Sequence, residues 1–304
     1  MNKLIKAAIL FVFRTLTMTH FMIEKLLEKV LPSHLDGFTR NYMIKKIDTD
    51  NRKISHRTRD NKMVSFNIFT PNQTCHMRHK TFSTKEPETL EWIDTYGGEG
   101  AMFDIGANIG IYSLYYAKSK PGNVYSFEPS VFNLRQLAKN ISMNSLSEKV
   151  RVISNPLSSS TGISNFCNSS DDEGGALSAF GVNYGYDGKP IDKNIEYKVL
   201  GFTLDDVMQK NLVNEVPTLV KIDVDGIEHL ILEGAKNTLS SKGCKSVLIE
   251  VNDNFKHQSS RVSELLKSYG FKMQEKGHSE LFNSGKFKHT FNQIWVKDSI
   301  APVV

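Results

Sequence analysis

Strand-like and helix-like segments alternate along the chain from residue 101 onward, and this alternation restricts the possible folds more than any other feature. The strand-like runs are 101–105, 123–127, 150–154, 218–224 and 246–251, and helical stretches follow most of them. In the helical stretch 131–144, apolar residues share one face: Val131, Leu134, Leu137, Ala138 and Ile141. Strands that alternate with helices form a mainly parallel sheet covered on both sides. We therefore predict an α/β fold with its ligand site at the carboxyl ends of the strands.

The composition is typical of a soluble globular protein. The chain has 304 residues, of which 39% are hydrophobic and 23% are charged. Its three cysteines, Cys75, Cys167 and Cys244, are far apart and form no CxxC pair. This pattern indicates neither a disulfide framework nor a zinc site, and it favours a reducing, cytoplasmic location.

The first 62 residues form a basic region of their own. They hold 13 Lys and Arg against 6 Asp and Glu, whereas the rest of the chain holds 25 against 27. The apolar run 7–13 ends at Arg14. It is shorter than the 20 or so residues that a bilayer span needs, and no signal cleavage site follows it. We predict an amphipathic N-terminal helical arm, 1–62, before a domain formed by 63–304. The arm either packs on that domain, which we favour, or lies on a membrane surface.

Two segments flank the alternating region with weaker signals. Residues 63–69 alternate in polarity and predict a strand, and Ser83 precedes Glu86 with capping-box spacing, so a helix is expected to begin near Pro87 and to end near Gly97. Residues 157–203 are rich in Ser, Gly, Asn and Asp, with strand candidates at 163–167 and 196–200. Connections of this length are usually functional or disordered. This insertion is therefore either a hairpin and flap over the site or a surface segment.

The sequence FDIGANIGIYS, residues 103–113, places an acid and two glycines where a strand turns into a helix. A dinucleotide-binding turn needs G-x-G-x-x-G, but Asn108 replaces the second glycine and Gly110 comes one residue early, and no P-loop occurs here. Asp104 at the strand end repels a pyrophosphate and suits a cationic ligand. Glu128, at the end of the next strand, is placed to accept hydrogen bonds from both hydroxyls of a ribose. A nucleoside with a positive group and no phosphate chain meets these requirements, and S-adenosylmethionine is such a molecule.

Several motifs occur in an order that resembles the FkbM-type S-adenosylmethionine-dependent methyltransferases, a branch of the Rossmann-like class I methyltransferases. The motifs are DIGANIGIYS, SFEPS, TLDD and VKIDVDGIEHLILEGA, and the resemblance covers 82–296. It implies an open sheet of about seven strands, the last one antiparallel, with the cofactor across the ends of the first strands. It also implies which residues shape the methionine pocket: Asp104, Gly106, Ala107, Asn108 and Gly110. Glu128 would then hold the ribose, and Asn155 would lie near the adenine. Members of this family methylate hydroxyl groups of sugars and of polyketide-like small molecules.

The stretch LVKIDVDGIEHLILEGA, 219–235, brings three carboxylates to the end of a buried strand: Asp223, Asp225 and Glu228. Methyl transfer to a hydroxyl needs alignment of the partners and removal of a proton. Crowded carboxylates raise at least one pKa, which makes a weak base useful near neutral pH. We therefore predict Asp223 as the acid nearest the methyl group and Glu228 as the hydroxyl-orienting partner or base. Neighbouring His229 is an alternative proton acceptor.

The acceptor pocket is predicted at the next strand end. Glu250 and Asn252 of LIEVND are expected to line it together with Asp225, and Lys221 is expected to neutralise Asp223. Clustered carboxylates also suit magnesium or calcium, but DVDG lacks the frame of an EF-hand loop, so no metal is assigned.

Other function classes stay open to different degrees. Nucleic acid is not expected as a substrate, because the only approximation to an Asn-Pro-Pro-aromatic motif is Asn155-Pro156-Leu157-Ser158. It lacks the second proline and the aromatic residue, and the body of the chain is slightly acidic. The remaining alternatives are an N-methyltransferase, a nicotinamide-dependent oxidoreductase and a non-catalytic module that docks to membranes through 1–62.

Overall fold

The structure is a computed structural model that describes residues 3–27, 29–30 and 37–297. The chain divides into two compact units, Met1–Asp50 and Asn51–Val304. Residues 1–2, 28 and 31–36 of the expected arm lie outside the described residues.

The first unit contains helices α1 (Lys3–Leu27) and α2 (Phe38–Asp48). No Gly or Pro follows Arg14 within α1, so the helix continues well beyond the short apolar run. The hydroxyl groups of Thr15, Thr17 and Thr19 each donate to the carbonyl four residues earlier. By length and composition α1 is able to cross a membrane, since its most apolar 18-residue window has a mean hydropathy of 1.4, although a signal sequence passes the same test. The expectation that this segment is too short to span a bilayer is therefore corrected.

The second unit is built around a seven-stranded sheet flanked by helices. Its strands are β3 (Ala101–Ile105), β4 (Val124–Phe127), β5 (Val150–Ile153), β9 (Pro217–Ile222), β10 (Ser246–Asn252), β11 (Phe271–Gly277) and β12 (Thr290–Lys297). They lie in the order β11-β12-β10-β9-β3-β4-β5, with β12 antiparallel to both neighbours and the other described pairs parallel. The helices are α3 (Gln73–Lys85), α4 (Pro87–Tyr96), α5 (Ile111–Ser119), α6 (Val131–Met143), α7 (Leu204–Gln209), α8 (Glu228–Glu233), α9 (Lys236–Ser240) and α10 (Lys256–Ser268). This is the predicted Rossmann-like class I methyltransferase architecture.

The second unit begins earlier than the sequence indicated. Strand β1 (Asn51–Arg57) pairs antiparallel with β2 (Met63–Phe69), the strand that the sequence predicted. Ile54 of β1 is buried in the same apolar cluster as Phe66 of β2. The boundary between the units therefore lies before Asn51 and not after Lys62.

The helix before the first parallel strand also begins differently. Ser83 lies inside α3, and Glu86 is the N-cap residue of α4, whose first residue is Pro87. The capping-box interpretation of Ser83 is therefore wrong, whereas Pro87 in the first turn and a helix end next to Gly97 are confirmed.

The insertion 157–203 forms a sheet of three antiparallel strands. Strands β6 (Gly162–Asn168), β7 (Ser178–Phe180) and β8 (Ile195–Gly201) lie in the order β7-β6-β8. The sequence predicted two of these strands as a hairpin, and the short β7 adds the third.

Both faces of the central sheet are buried, as expected when helices cover it on each side. Met102 and Phe103 are adjacent in β3, point to opposite faces, and are both fully buried. On one face, α4 is tied to β10 because Trp92 Nε1 donates to Ser246 Oγ at 2.8 Å.

Candidate functional site

The site forms where the carboxyl ends of β3 and β9 meet. The amide of Asp223 donates to the carbonyl of Ile105 at 3.0 Å, so the two strands stay paired up to their carboxyl ends. Gly106 follows with φ of 85°, and a Cβ there would lie 1.8 Å from the carbonyl oxygen of Asp223. Only glycine permits this close approach. The strand ends can therefore converge on one edge of a cavity.

The turn after Gly106 fixes a carboxylate. Asn108 has φ of 53°, its amide donates to Glu128 Oε2 at 2.7 Å, and its Nδ2 donates to the carbonyl of Gly175 at 2.6 Å. Gly110, with φ of 84°, begins α5 where a Cβ would meet Leu137. The turn is therefore organised around Glu128 and the insertion.

A first cavity, partly open to solvent, lies beside this turn. Five residues that the sequence assigned to the cofactor or methyl-transfer site line it: Gly106, Asn108, Glu128, Asn155 and Asp223. The insertion supplies another wall through Phe166, Ala176, Ser178 and Phe180, among others. The structure therefore supports the flap alternative for 157–203.

Glu128 is buried at the wall of the first cavity. Besides the bond from Asn108, its Oε1 accepts from the amide of Ser130 at 2.8 Å. Burial raises the pKa of Glu128 to about 7, even though these backbone donors lower it. A carboxylate held in this way keeps acceptor capacity for hydroxyl donors in the cavity.

Asp104 and Ala107 do not line either cavity. Asp104 is 1% exposed, and its Oδ2 accepts from Ser113 Oγ at 2.6 Å, which in turn lies 2.7 Å from Ser126 Oγ. Burial raises the pKa of Asp104, and Lys221 opposes that rise. Direct contact of Asp104 with the ligand, as expected from the sequence, is therefore not supported, because its carboxyl group is buried and lines neither cavity. Ala107 belongs to the apolar core.

Lys221 forms the buried ion pair that the sequence suggested. Its Nζ lies 2.8 Å from Asp223 Oδ2, and the lysine side chain is 2% exposed. Burial alone would lower the pKa of Lys221, but Asp223, Asp104 and Glu86 together raise it. The lysine therefore stays charged and holds Asp223 at the cavity edge.

Asp225 connects the loop after β9 to the insertion. Its Oδ2 accepts from the amides of Leu177 at 2.7 Å and Ser178 at 3.2 Å. Burial and neighbouring Asp223 raise the pKa of Asp225 to about 6. Asp225 lines both cavities of the site, so the predicted cluster of Asp223 and Asp225 is present.

Glu228 and His229 are placed behind this loop and line neither cavity. Glu228 is 1% exposed and accepts from the amides of Gly226 and Val224 and from Gln258 Nε2. Burial raises its pKa to about 8. His229 is 2% exposed and packs against His257. The geometry does not support either residue as the base; Glu228 holds the loop that carries Asp223.

A second cavity, also partly open to solvent, shares an edge with the first. The shared lining residues are Gly106, Asn108, Ala176, Asp223 and Asp225. Glu250 lines the second cavity, as predicted, whereas Asn252 does not, and its Oδ1 instead accepts from the amide of Asn254 at 2.9 Å. Burial, then Asp223 and Glu86, raise the pKa of Glu250 well above its usual range.

Sequence reasoning missed most of the second cavity's walls. They come from α3 and α4 on one side and from the connection between β11 and β12 on the other: Arg78, Lys85, Glu86, Glu88, His278, Phe282 and Phe287. These segments lie far from the strand-end motifs in sequence. The only sequence feature that pointed to these segments was the cluster of charges around Pro87, and it was interpreted only as the start of a helix.

Lys85 and Glu86 form an ion pair at this cavity, with Lys85 Nζ 2.5 Å from Glu86 Oε1. Burial tends to raise the pKa of Glu86, but Lys85 and Lys221 outweigh it and lower the pKa to about 2. The second cavity thus combines charged groups with the rings of Phe282 and Phe287.

Comparison with known proteins shows which family the chain belongs to. Residues 104–273, more than half of the chain, match the family model described as the methyltransferase FkbM domain. No curated protein matches the chain.

Similar solved structures include three methyltransferases. Methyltransferase FkbM from Methylobacillus flagellatus KT is 14% identical with a TM-score of 0.44, covering 73% of this chain and 52% of that one. The chain thus spans about half the length of that protein. Precorrin-6y C5,15-methyltransferase from Geobacter metallireducens GS-15 is 13% identical, with a TM-score of 0.41 and coverages of 70% and 87%. TrmK from M. capricolum, in complex with S-adenosyl-homocysteine, is 14% identical, with a TM-score of 0.39 and coverages of 67% and 64%.

Proposed function

The chain belongs to the FkbM methyltransferase family, and we propose that it transfers a methyl group from S-adenosylmethionine to a hydroxyl group of a sugar, a glycan or another small molecule. The observation that carries this proposal is the pair of cavities that meet at Gly106, Asp223 and Asp225. Two reactants bound in adjoining cavities are brought into the alignment that a displacement reaction requires.

The polar groups that line the first cavity fit S-adenosylmethionine. Glu128 offers carboxylate oxygens to ribose hydroxyls, and Asn155 lies at the wall where an adenine would be expected. Asp223 and Asp225 supply negative charge at the junction of the cavities, which suits an ammonium and a sulfonium group. Arg78, whose Nε donates to the carbonyl of Gly174 at 2.8 Å, lines the adjoining cavity within reach of an anionic group such as a carboxylate. Bound there, S-adenosylmethionine supplies an activated methyl group.

The second cavity fits a polyhydroxylated acceptor. Glu250, Glu86 and Asn292 offer hydrogen-bonding groups, and Phe282 and Phe287 offer apolar surface for the C–H face of such a molecule. This combination supports a hydroxyl as the nucleophile. An N-methyltransferase remains the alternative within the same class, because an amine acceptor would also meet these carboxylates.

Calorimetry separates the cofactor classes. We expect the protein to bind S-adenosylhomocysteine and not NAD, because the turn after Gly106 is organised around Glu128 and not around a pyrophosphate. Incubation with methyl-labelled cofactor and a panel of glycans, followed by mass analysis, then identifies the acceptor. Binding of NAD without binding of S-adenosylhomocysteine would overturn the proposal in favour of a nicotinamide-dependent oxidoreductase.

The proposed setting is cytoplasmic, with peripheral membrane contact through the N-terminal arm. The apolar length of α1 supports membrane contact, and the excess of basic residues in 1–62 supports attraction to anionic lipid. Nucleic acid is not proposed as a partner, since residues 63–304 hold 25 basic against 27 acidic side chains. A non-catalytic module that docks to membranes would bind liposomes but not S-adenosylhomocysteine.

A further inference from the structure

His278 has one ring nitrogen whose protonation is fixed by the backbone. It follows β11, and its Nδ1 lies 2.9 Å from the carbonyl oxygen of Thr290. A carbonyl oxygen only accepts hydrogen bonds, so Nδ1 must carry the proton. In the neutral ring, Nε2 then has a free lone pair and is an acceptor.

The ring of His278 is also held in place by its neighbours. It stacks on Phe291, with the ring centroids 4.4 Å apart and 19° between the planes, and Phe282 lies 6.3 Å away. One hydrogen bond and one stacked ring leave the imidazole little freedom to turn. His278 lines the second cavity, the same cavity that Asp223 and Glu250 line.

Five acids among the described residues line this cavity, and each is less suited to accepting a proton. Asp225 accepts from two backbone amides of the insertion, and burial raises the pKa of Glu250 well above its usual range, which favours its protonated form. Asp223 is paired with Lys221, and Glu86 is paired with Lys85. Glu88 Oε1 accepts from Asn292 Nδ2 at 2.7 Å, and burial raises the pKa of Glu88, which disfavours the carboxylate form that could accept a proton. Within the described part of the chain, no group forms a hydrogen bond with His278 Nε2.

The charged groups around His278 come from three elements. Glu88 of α4 interacts electrostatically with His278. Lys85 of α3 lies over the ring of Phe282 at 5.8 Å, and Lys276 of β11 lies over the ring of Phe291 at 4.8 Å. One carboxylate therefore interacts with the imidazole, and two lysines lie over aromatic rings that neighbour it.

We propose that His278 Nε2 is the general base that accepts the proton of the acceptor hydroxyl, an inference that rests on the proposed methyltransferase function. The hydroxyl oxygen bonds to the methyl carbon, and the electron pair of the broken carbon–sulfur bond stays on sulfur as a neutral thioether. The hydroxyl proton moves to Nε2, which gives an imidazolium that later releases the proton to water. His278 takes the role that the sequence assigned to Glu228 or His229.

The tautomer is tested without any acceptor. Long-range ¹H–¹⁵N NMR of the histidine-labelled full chain, at a pH where the ring is neutral, should show His278 protonated at Nδ1 and not at Nε2, with the signal assigned by its loss in His278→Asn. A neutral ring protonated at Nε2 would overturn the proposal.

Catalysis is tested with methyl-labelled S-adenosylmethionine and a panel of methyl glycosides. His278→Asn keeps an amide donor for the Thr290 carbonyl but removes Nε2, so we expect transfer to fall by about 10²–10⁴-fold. The affinity for S-adenosylhomocysteine should be unchanged by calorimetry, and added imidazole should restore part of the activity. His289→Asn, on the same connection but outside both cavities, is the matched control.

The two proposals fail in different ways. If His278→Asn transfers methyl groups as fast as the unaltered protein, the role of His278 is refuted while the methyltransferase function stands. If the unaltered protein does not bind S-adenosylhomocysteine, the proposed function itself is refuted.

Discussion

At the scale of single residues, the site depends on how each buried charge is balanced. Asp223 lines both cavities and is paired with buried Lys221, whereas Glu128 is satisfied by backbone amides. The first arrangement keeps a negative charge where the cavities meet. The second leaves a carboxyl group whose ionisation depends on pH in the physiological range.

Replacing Asp223 with Asn removes the charge at the junction of the cavities. We expect methyl transfer to fall by about 10²–10³-fold, because a preorganised charge near the reacting atoms is lost. S-adenosylhomocysteine affinity should be largely kept, because this thioether has no sulfonium charge and Glu128, Asn155 and Asp225 are untouched. Labelled transfer and calorimetry measure the two quantities. Glu233→Gln, which removes a pairing with Arg261 outside both cavities, is the control. Normal turnover in Asp223→Asn would contradict the assignment.

Glu128 should make ligand binding depend on pH. Its pKa is raised to about 7, so the carboxyl group is increasingly protonated below that pH and is then a poorer acceptor for ribose hydroxyls. Binding that favours the carboxylate therefore weakens as pH falls, by up to about tenfold per pH unit below 7. Calorimetry with S-adenosylhomocysteine at pH 6 and pH 8 measures the difference.

Two variants separate Glu128 from general effects of pH. Glu128→Gln should bind more weakly and lose the pH dependence. Glu215→Gln, whose carboxylate accepts from Asn123 and Tyr125 away from both cavities, should keep it. Affinity that is the same at both pH values in the unaltered protein would show that Glu128 does not bind the ligand through its carboxylate.

At the scale of secondary-structure elements, Asp225 ties the insertion to the central sheet. Replacing Asp225 with Ala removes the acceptor for the amides of Leu177 and Ser178. A hydrogen bond to a charged group contributes about 1.5–3 kcal/mol, so we expect hydrogen exchange around β7 to accelerate by about 10- to 100-fold. Hydrogen-exchange mass spectrometry measures the change.

The control for this prediction is another carboxylate that accepts from two backbone amides but lies outside the insertion. Asp205 accepts from the amides of Asn237 and Thr238 at the start of α9. Asp205→Ala should accelerate exchange there and leave the insertion unchanged. If exchange around β7 is unaltered in Asp225→Ala, the insertion is held by other contacts, such as the bond between Asn108 and Gly175.

Periodic elements were predictable from sequence, and irregular connections were not. Strands β2 and β3 have the predicted bounds because alternation and an apolar run are local signals. Ser83 was misassigned because helix α3 continues through a polar stretch that carries no periodic pattern.

The residues of the candidate site also differ in how well the sequence predicts them. Gly106, Glu128 and Asp223 were found because they follow strand ends, which converge in any parallel sheet. Glu228 also follows a strand end, but its carboxylate turns back to the amides of Gly226 and Val224. His278 was missed because its role depends on the Thr290 carbonyl twelve residues later, across a connection that no local pattern predicts.

At the scale of the whole molecule, the division into two units predicts where the chain can be shortened. A chain that begins at Asn51 keeps the β1–β2 hairpin and the entire central sheet. We expect it to retain the melting temperature and the S-adenosylhomocysteine affinity of the full chain, as measured by thermal unfolding and calorimetry. A chain that begins at Met63 loses β1 and the burial of Ile54. Because removal of one large buried aliphatic side chain costs about 2–5 kcal/mol, this shorter chain should unfold at a clearly lower temperature.

The same truncation tests the membrane role of the N-terminal arm. The full chain should sediment with liposomes that contain anionic lipid, because α1 offers an apolar helix long enough to enter a bilayer and 1–62 carries a net positive charge. The chain that begins at Asn51 should stay in the supernatant while binding S-adenosylhomocysteine as before. Equal sedimentation of both chains would place the membrane contact in the second unit. Loss of S-adenosylhomocysteine binding on truncation would show instead that binding requires residues 1–50.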